Sequence, residues 1–255
     1  MANLFTGLRS KISSLEKGEP LLYYKCQWEN KTDDVSIGFL TYKWLHFLIL
    51  VSFLIISLIC NRFCERWPIY YTNWGLVLYI VQALLGIIIV TNVYCCIRKG
   101  KPPEISERFM ELYGGLQSAA VVTAFGITLV FWCLVYDSIL YEINTGALSS
   151  HIGNSIVMLI DLLIVAHPVK LVDIILPFCL ALLYVVFTII YFLCGGTEKN
   201  GDPYIYEIMD WRKSEVSFIY VLGLLLLLII IYIFVWLLCV LRRSISHRLE
   251  AAHDG

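Results

Sequence analysis

Thr72, His151, Asp137 and Asp210 fall at the edges of long apolar runs. A hydroxyl, an imidazole and carboxylates brought to one depth could form a nucleophile–base site of the kind used in acyl transfer. Each also has a plainer role: Thr72 could cap a helix, and His151 could be a hydrogen-bonding residue at a membrane interface. A second group of polar residues lies inside an apolar run. His151, Asn154, Met158 and Asp161 are spaced by 3, 4 and 3 residues, which puts them on one helical face, with Ser155 at its border. Asp161 would sit about 15 Å below His151 at 1.5 Å per residue, too far for an acid–base dyad. A carboxylate at that depth needs a partner on another helix, and Asn92, Thr91 and Lys170 are candidates. A structural role for Asp161 comes before a catalytic or transport one, although intramembrane carboxylates often mark function.

The elements that position these residues follow from composition. Of the 255 residues 59% are hydrophobic and 15% charged, and the mean hydropathy is +0.77, outside the range of water-soluble domains. A hydrocarbon core about 30 Å thick needs about 20 apolar residues in a helix. Six such runs occur, near Tyr42–Cys60, Asn73–Ile97, Gly115–Tyr136, His151–Ala166, Val172–Cys194 and Val216–Leu241. The reading is an all-α membrane protein, a six-transmembrane helix bundle: an amino-terminal tail over 1–41, the membrane domain over 42–241 and a carboxyl-terminal tail over 242–255.

Lysine and arginine in the loops set the orientation, because they are retained on the cytoplasmic side. Thirteen fall in the two tails and the second and fourth loops, against five in the other loops, with Lys43 set aside at the first helix boundary. Both termini are therefore expected in the cytoplasm. The acceptor pattern Asn30-Lys31-Thr32 would face the same side and stay unmodified.

A net charge of -1 shows no basic excess, which argues against nucleic acid as a partner. Nine cysteines lack zinc-ligand spacing, so no metal and no other cofactor is expected. Cys95, Cys96 and Cys239 lie near helix ends, where palmitoylation competes with a plain buried or lipid-facing thiol. Aromatic residues crowd the outer boundary in Trp67–Trp74 and Tyr204–Trp211, as an interfacial belt would. No repeat or inverted symmetry of transporter type is present, and no endoplasmic-reticulum retrieval signal ends the sequence, which favours the plasma membrane.

The run Trp67-Pro68-Ile69-Tyr70-Tyr71-Thr72-Asn73-Trp74-Gly75, then Asn154-Ser155 through Asp161, His167-Pro168, and Tyr204-Ile205-Tyr206 with Asp210-Trp211, resembles the rolling stone family of animal membrane proteins. The resemblance spans roughly Tyr42 to Val240; Leu171 to Pro177 departs from it in lacking a histidine near Asp173. It implies a multi-pass surface protein in cell–cell fusion or in myoblast and muscle development. More distantly, Tyr71-Thr72, Gln82 and His151 look like the androgen-induced family of membrane hydrolases, which cleave esters of hydroxy fatty acids. That resemblance implies Thr72 as nucleophile and His151 as general base, with Asn73 or Asn154 donating to the oxyanion. The partners would be membrane lipids, including a lipid ester entering from the bilayer. A third reading is a small transporter or channel using Asp161, Asn154 and Asn92.

Overall fold

The computed structural model describes residues 19–29, 34–61, 65–136 and 145–253. Asn30 and Asp137 lie outside the described residues. Six helices are long and apolar enough to cross a membrane, as expected from the sequence. They are α1 (Ile37–Cys60), α2 (Tyr71–Arg98), α3 (Glu107–Val130), α4 (Thr145–Ile164), α5 (Ile175–Leu193) and α6 (Ser214–His253). Among the described residues there is no strand, and one isolated antiparallel bridge joins Cys26 to Val165. Alternate helices run in opposite directions, so one end of the bundle carries Arg98 and Arg242 and the other carries Tyr70 and Tyr206.

Several helices run past the apolar stretches that reveal them. Ser36 caps α1 by accepting from the Phe39 amide at 3.0 Å, so the helix begins five residues before Tyr42. Lys43 is then about 9 Å along the helix at 1.5 Å per residue, no longer a boundary residue. α3 begins at Glu107, whose charge suits a helix amino terminus. α6 has 40 residues and is therefore about 60 Å long, twice the hydrocarbon thickness. The divisions at 41/42 and 241/242 thus fall within helices. α2 and α3 form the centre of the bundle, with Tyr79, Ala83, Ala120, Val121 and Ala124 fully enclosed. Exposed Leu, Ile and Phe on α5 and α6 face outward, as lipid requires.

The described parts of the tails are not free of the bundle. A 3-10 turn at Pro20–Tyr24 leads into a strap that closes the end of α4. The Gln27 amide donates to Ile164 O at 2.7 Å, the Ala166 amide to Lys25 O at 3.1 Å and the Trp28 indole to Leu163 O at 2.8 Å. Arg242, expected in the cytoplasmic tail, is only 2% exposed; it donates to Leu162 O, and to His167 O at 2.8 Å. Ser246, farther along α6, donates to Gln27 O at 3.0 Å. A helix ends with carbonyls that have no partner of its own, and here a strap and an arginine supply the donors. His167 is enclosed beside them, stacked on Tyr23 with ring centroids 5.1 Å apart. Burial, and next the Arg242 guanidinium, push its pKa down to about 3, so it stays neutral.

At the opposite end the aromatic residues pack on one another, which an interfacial belt alone would not require. The Tyr184 hydroxyl donates to Ile69 O at 2.8 Å, and its ring meets Tyr71 and Trp74. The Tyr71 amide donates to the Tyr206 hydroxyl at 3.1 Å. Asp210 accepts a forked pair from Arg212 at 2.9 and 2.8 Å, and that pairing holds its carboxyl below the usual range.

Candidate functional site

Two groups of residues stand out, at different depths. The first surrounds Asp161, which is fully buried on α4. Its Oδ1 accepts from Lys43 Nζ at 2.8 Å and from the Tyr42 hydroxyl at 3.0 Å, both from α1. Its Oδ2 accepts from Gln117 on α3 at 2.9 Å and from Gln82 on α2 at 3.3 Å. Four donors occupy the roughly four lone-pair sites of a carboxylate. Lys43 is itself fully buried and also lies 5.6 Å from the centre of the Tyr113 ring. Gly86 on α2 makes room for that contact: a β-carbon there would stand 3.0 Å from Lys43 Cε and 3.1 Å from the Tyr113 hydroxyl. His46 completes the group, its Nδ1 3.8 Å from Asp161, with neither ring nitrogen hydrogen-bonded among the described residues.

This arrangement replaces the partners expected for Asp161. Asn92 is exposed, accepts from the Cys96 thiol at 3.5 Å and is not part of the group. Thr91 accepts from the Trp44 indole at 3.2 Å, and Lys170 donates to Glu111 at 3.0 Å. The true cation, Lys43, is hidden in the sequence because a charge so near the start of an apolar run looks like its boundary. Two facts could have revealed it: Lys43 and His46 share one face of α1, and a lone aspartate in a span needs a positive partner. Gln117 carries no comparable signal, since an amide in a span is common glue between helices.

The second group lines a cavity of about 150 Å³ between α2, α3, α4, α5 and α6. Thr72 and His151, far apart in sequence, are both on its wall. Thr72 lies in the first turn of α2, where Tyr70 and not Thr72 is the cap, and its hydroxyl faces that of Tyr206. His151 sits in a π-helical turn, Ser149–Gly153, and stacks face to face on Phe131 with centroids 3.5 Å apart. Phe131 opens another π-helical turn, Phe131–Val135. Such turns widen a helix locally and recur at functional sites. The Nδ1 of His151 has no hydrogen bond among the described residues, and none joins it to Thr72.

The remaining candidates stand away from this wall. Asn73 donates to Trp67 O at 2.6 Å and accepts from Ser57 at 3.3 Å, so its amide is committed to the turn before α2. Asn154 is fully buried, with its oxygen on the Ser155 amide at 2.7 Å. Neither lines the cavity, and Asp210 is held by Arg212. The structure thus brings Thr72 and His151 to one cavity but supplies them with neither an amide donor from Asn73 or Asn154 nor a carboxylate from Asp210. Among the described residues no cluster of His, Cys, Asp and Glu could hold a metal ion.

A family model described as protein rolling stone matches residues 14–253. The protein rolling stone of Drosophila melanogaster is 30% identical over 236 residues, which cover 88% of this chain and 84% of that protein. No solved structure matches.

The buried pair gives a stability prediction. Lys43→Met leaves the carboxylate without its cation and should cost about 3–5 kcal/mol, while Asp161→Asn added to it should recover much of the loss. Thermal unfolding of the four proteins in micelles measures this, and additive losses would show that the two residues do not act as a pair.

Proposed function

This chain belongs to the rolling stone family, and from that membership we propose that it acts at the plasma membrane in cell–cell fusion, as in the joining of myoblasts. It does so by engaging the bilayer and not as an adhesion receptor. The observation that carries the second part is the compactness of the aromatic end. The connection from α5 to α6 is drawn onto the bundle through the Tyr206, Asp210 and Trp211 contacts, and that from α1 to α2 through Trp67 and Ile69. Among the described residues at this end, little chain stands out to reach an apposed cell. Depletion of the protein from fusing cells should lower mixing of cytoplasmic dyes between two populations, with recovery on re-expression; mixing at the normal rate after depletion contradicts the proposal.

In this reading the basic end faces the cytoplasm, because Arg98, Lys99, Lys101 and Arg243 gather there. Cys194, exposed at the aromatic end of α5, should then react with a membrane-impermeant maleimide on intact cells. Cys95, exposed at the basic end of α2, should react only after permeabilisation. The reverse pattern would invert the orientation.

Hydrolysis of a lipid ester is a second reading, favoured by the presence of Thr72 and His151 on one cavity wall. Thr72 would attack the ester carbonyl as His151 takes its proton, the alcohol would leave with that proton, and water activated by His151 would then release the acyl group as a fatty acid. That reading needs the two side chains to come within hydrogen-bond reach when substrate binds. A fluorophosphonate probe should label the wild type and neither Thr72→Ala nor His151→Ala. Equal labelling of all three, or none of folded wild type, removes hydrolysis from consideration.

A further inference from the structure

The cavity holds a feature that neither fusion nor hydrolysis uses. Thr123, on α3 near the middle of the bundle, lines it and is 4% exposed, yet its Oγ1 makes no hydrogen bond among the described residues. A threonine or serine in a membrane helix ordinarily turns its hydroxyl back to a carbonyl three or four residues earlier. Ser118 does so to Gly114 O at 3.0 Å and Thr188 to Val185 O at 2.7 Å. Thr123 forgoes that bond. The Tyr71 phenol lies close enough to interact with it, but no hydrogen bond of normal geometry joins the two hydroxyls. A buried hydroxyl without a partner is costly, and this one sits on the wall of an otherwise apolar space.

The rest of the lining defines what could meet it. Val122, Ile127, Leu224, Leu228 and Ile231 line the same cavity, and no Asp, Glu, Lys or Arg lines any part of it. A charged ligand group would be desolvated there without compensation. An apolar body is welcome in a space lined mostly by apolar side chains. Thr123 and Phe131 are eight residues apart on one helix, so the deep hydroxyl and the level of His151 differ by about 12 Å. Gly126, one turn from Thr123, keeps the space open; a β-carbon there would meet only Ile231 at 3.9 Å.

We propose that this cavity is a binding site for an uncharged lipid bearing one hydroxyl or carbonyl oxygen, which is hydrogen-bonded by Thr123 while its apolar body lies along α3 and α6. A sterol and a long-chain alcohol share this chemistry, and a fatty acid in its carboxylate form is excluded. The site requires neither turnover nor a role in fusion, so binding is read separately from both.

The test uses the full-length protein in nanodiscs with two diazirine probes, one a sterol and one a long-chain alcohol. Labelling by at least one probe should fall on α3 or α6 peptides and be competed by its unlabelled parent but not by palmitate at neutral pH. Whichever probe labels identifies the lipid. Thr123→Val keeps the shape and removes the hydroxyl, and should lower labelling about fivefold, the effect of one neutral hydrogen bond. Gly126→Leu fills the space and should abolish labelling with the melting temperature preserved. No specific labelling by either probe, equal competition by palmitate, or undiminished labelling of either folded variant overturns the proposal.

Discussion

A carboxylate in hydrocarbon must be neutralised and hydrogen-bonded where it stands, because no water is at hand to do either. Asp161 meets that requirement with donors from three other helices, and in doing so it fixes how the first four spans meet. Lys43 and Tyr42 come from α1, Gln82 from α2 and Gln117 from α3. Van der Waals packing between apolar helices permits many rotations of nearly equal energy in lipid. A buried ion pair permits few. Register along α1 is set by the need to bring Lys43 to the depth of Asp161, and Gly86 lets Lys43 and Tyr113 pack closely against α2. With all its acceptor positions taken, the carboxylate acts as a fastening between helices.

The other half of the bundle is built on different chemistry. Its contacts are aromatic rings, phenols and backbone carbonyls, and the described cavity there contains no formal charge. The two regions meet along α3. Gln117 belongs to the charged region and Thr123, six residues on, to the apolar one. The helices that enclose the cavity include α5 and α6, which take no part in the ion pair. Their attachment depends instead on Tyr184, Trp211 and, at the far end, Arg242. The ion pair and its donors thus tie α1 to α4 together, and the cavity lies where that framework meets α5 and α6.

Much of this was legible from the sequence, for a physical reason. Six uncharged runs of membrane length can hardly be anything but spans, and the 3–4–3 spacing of His151, Asn154, Met158 and Asp161 correctly marks a face with Asn154, Met158 and Asp161 buried. Thr72 and His151, expected at one depth from the topology, also line one cavity. Partners were harder to read than positions. Which donor meets Asp161 depends on helix rotation and on the true start of α1, and hydropathy reports neither. Arg242 was misplaced for a related reason: a cationic residue at the end of an apolar run usually reaches water, and only the carbonyls at the end of α4 make burial worthwhile. Thr123 had no sequence signal at all, since a threonine in a span is unremarkable until its hydroxyl is seen to lack a partner.

The closure of α4 has a consequence for biogenesis. The fourth span ends in carbonyls whose donors come from opposite extremes of the chain, the strap near Gln27 and Arg242 on the last helix. Ribosomes make the strap before any of the six spans and Arg242 after the first five. Until α6 enters the bilayer, the carboxyl-terminal end of α4 lacks the arginine, and the strap lacks the contact from Ser246. The bundle is therefore sealed only after the sixth span has been translated. A chain stopped before Arg242 would still contain most of the apolar length of six spans, yet would present an unsealed helix end to the membrane's quality-control machinery.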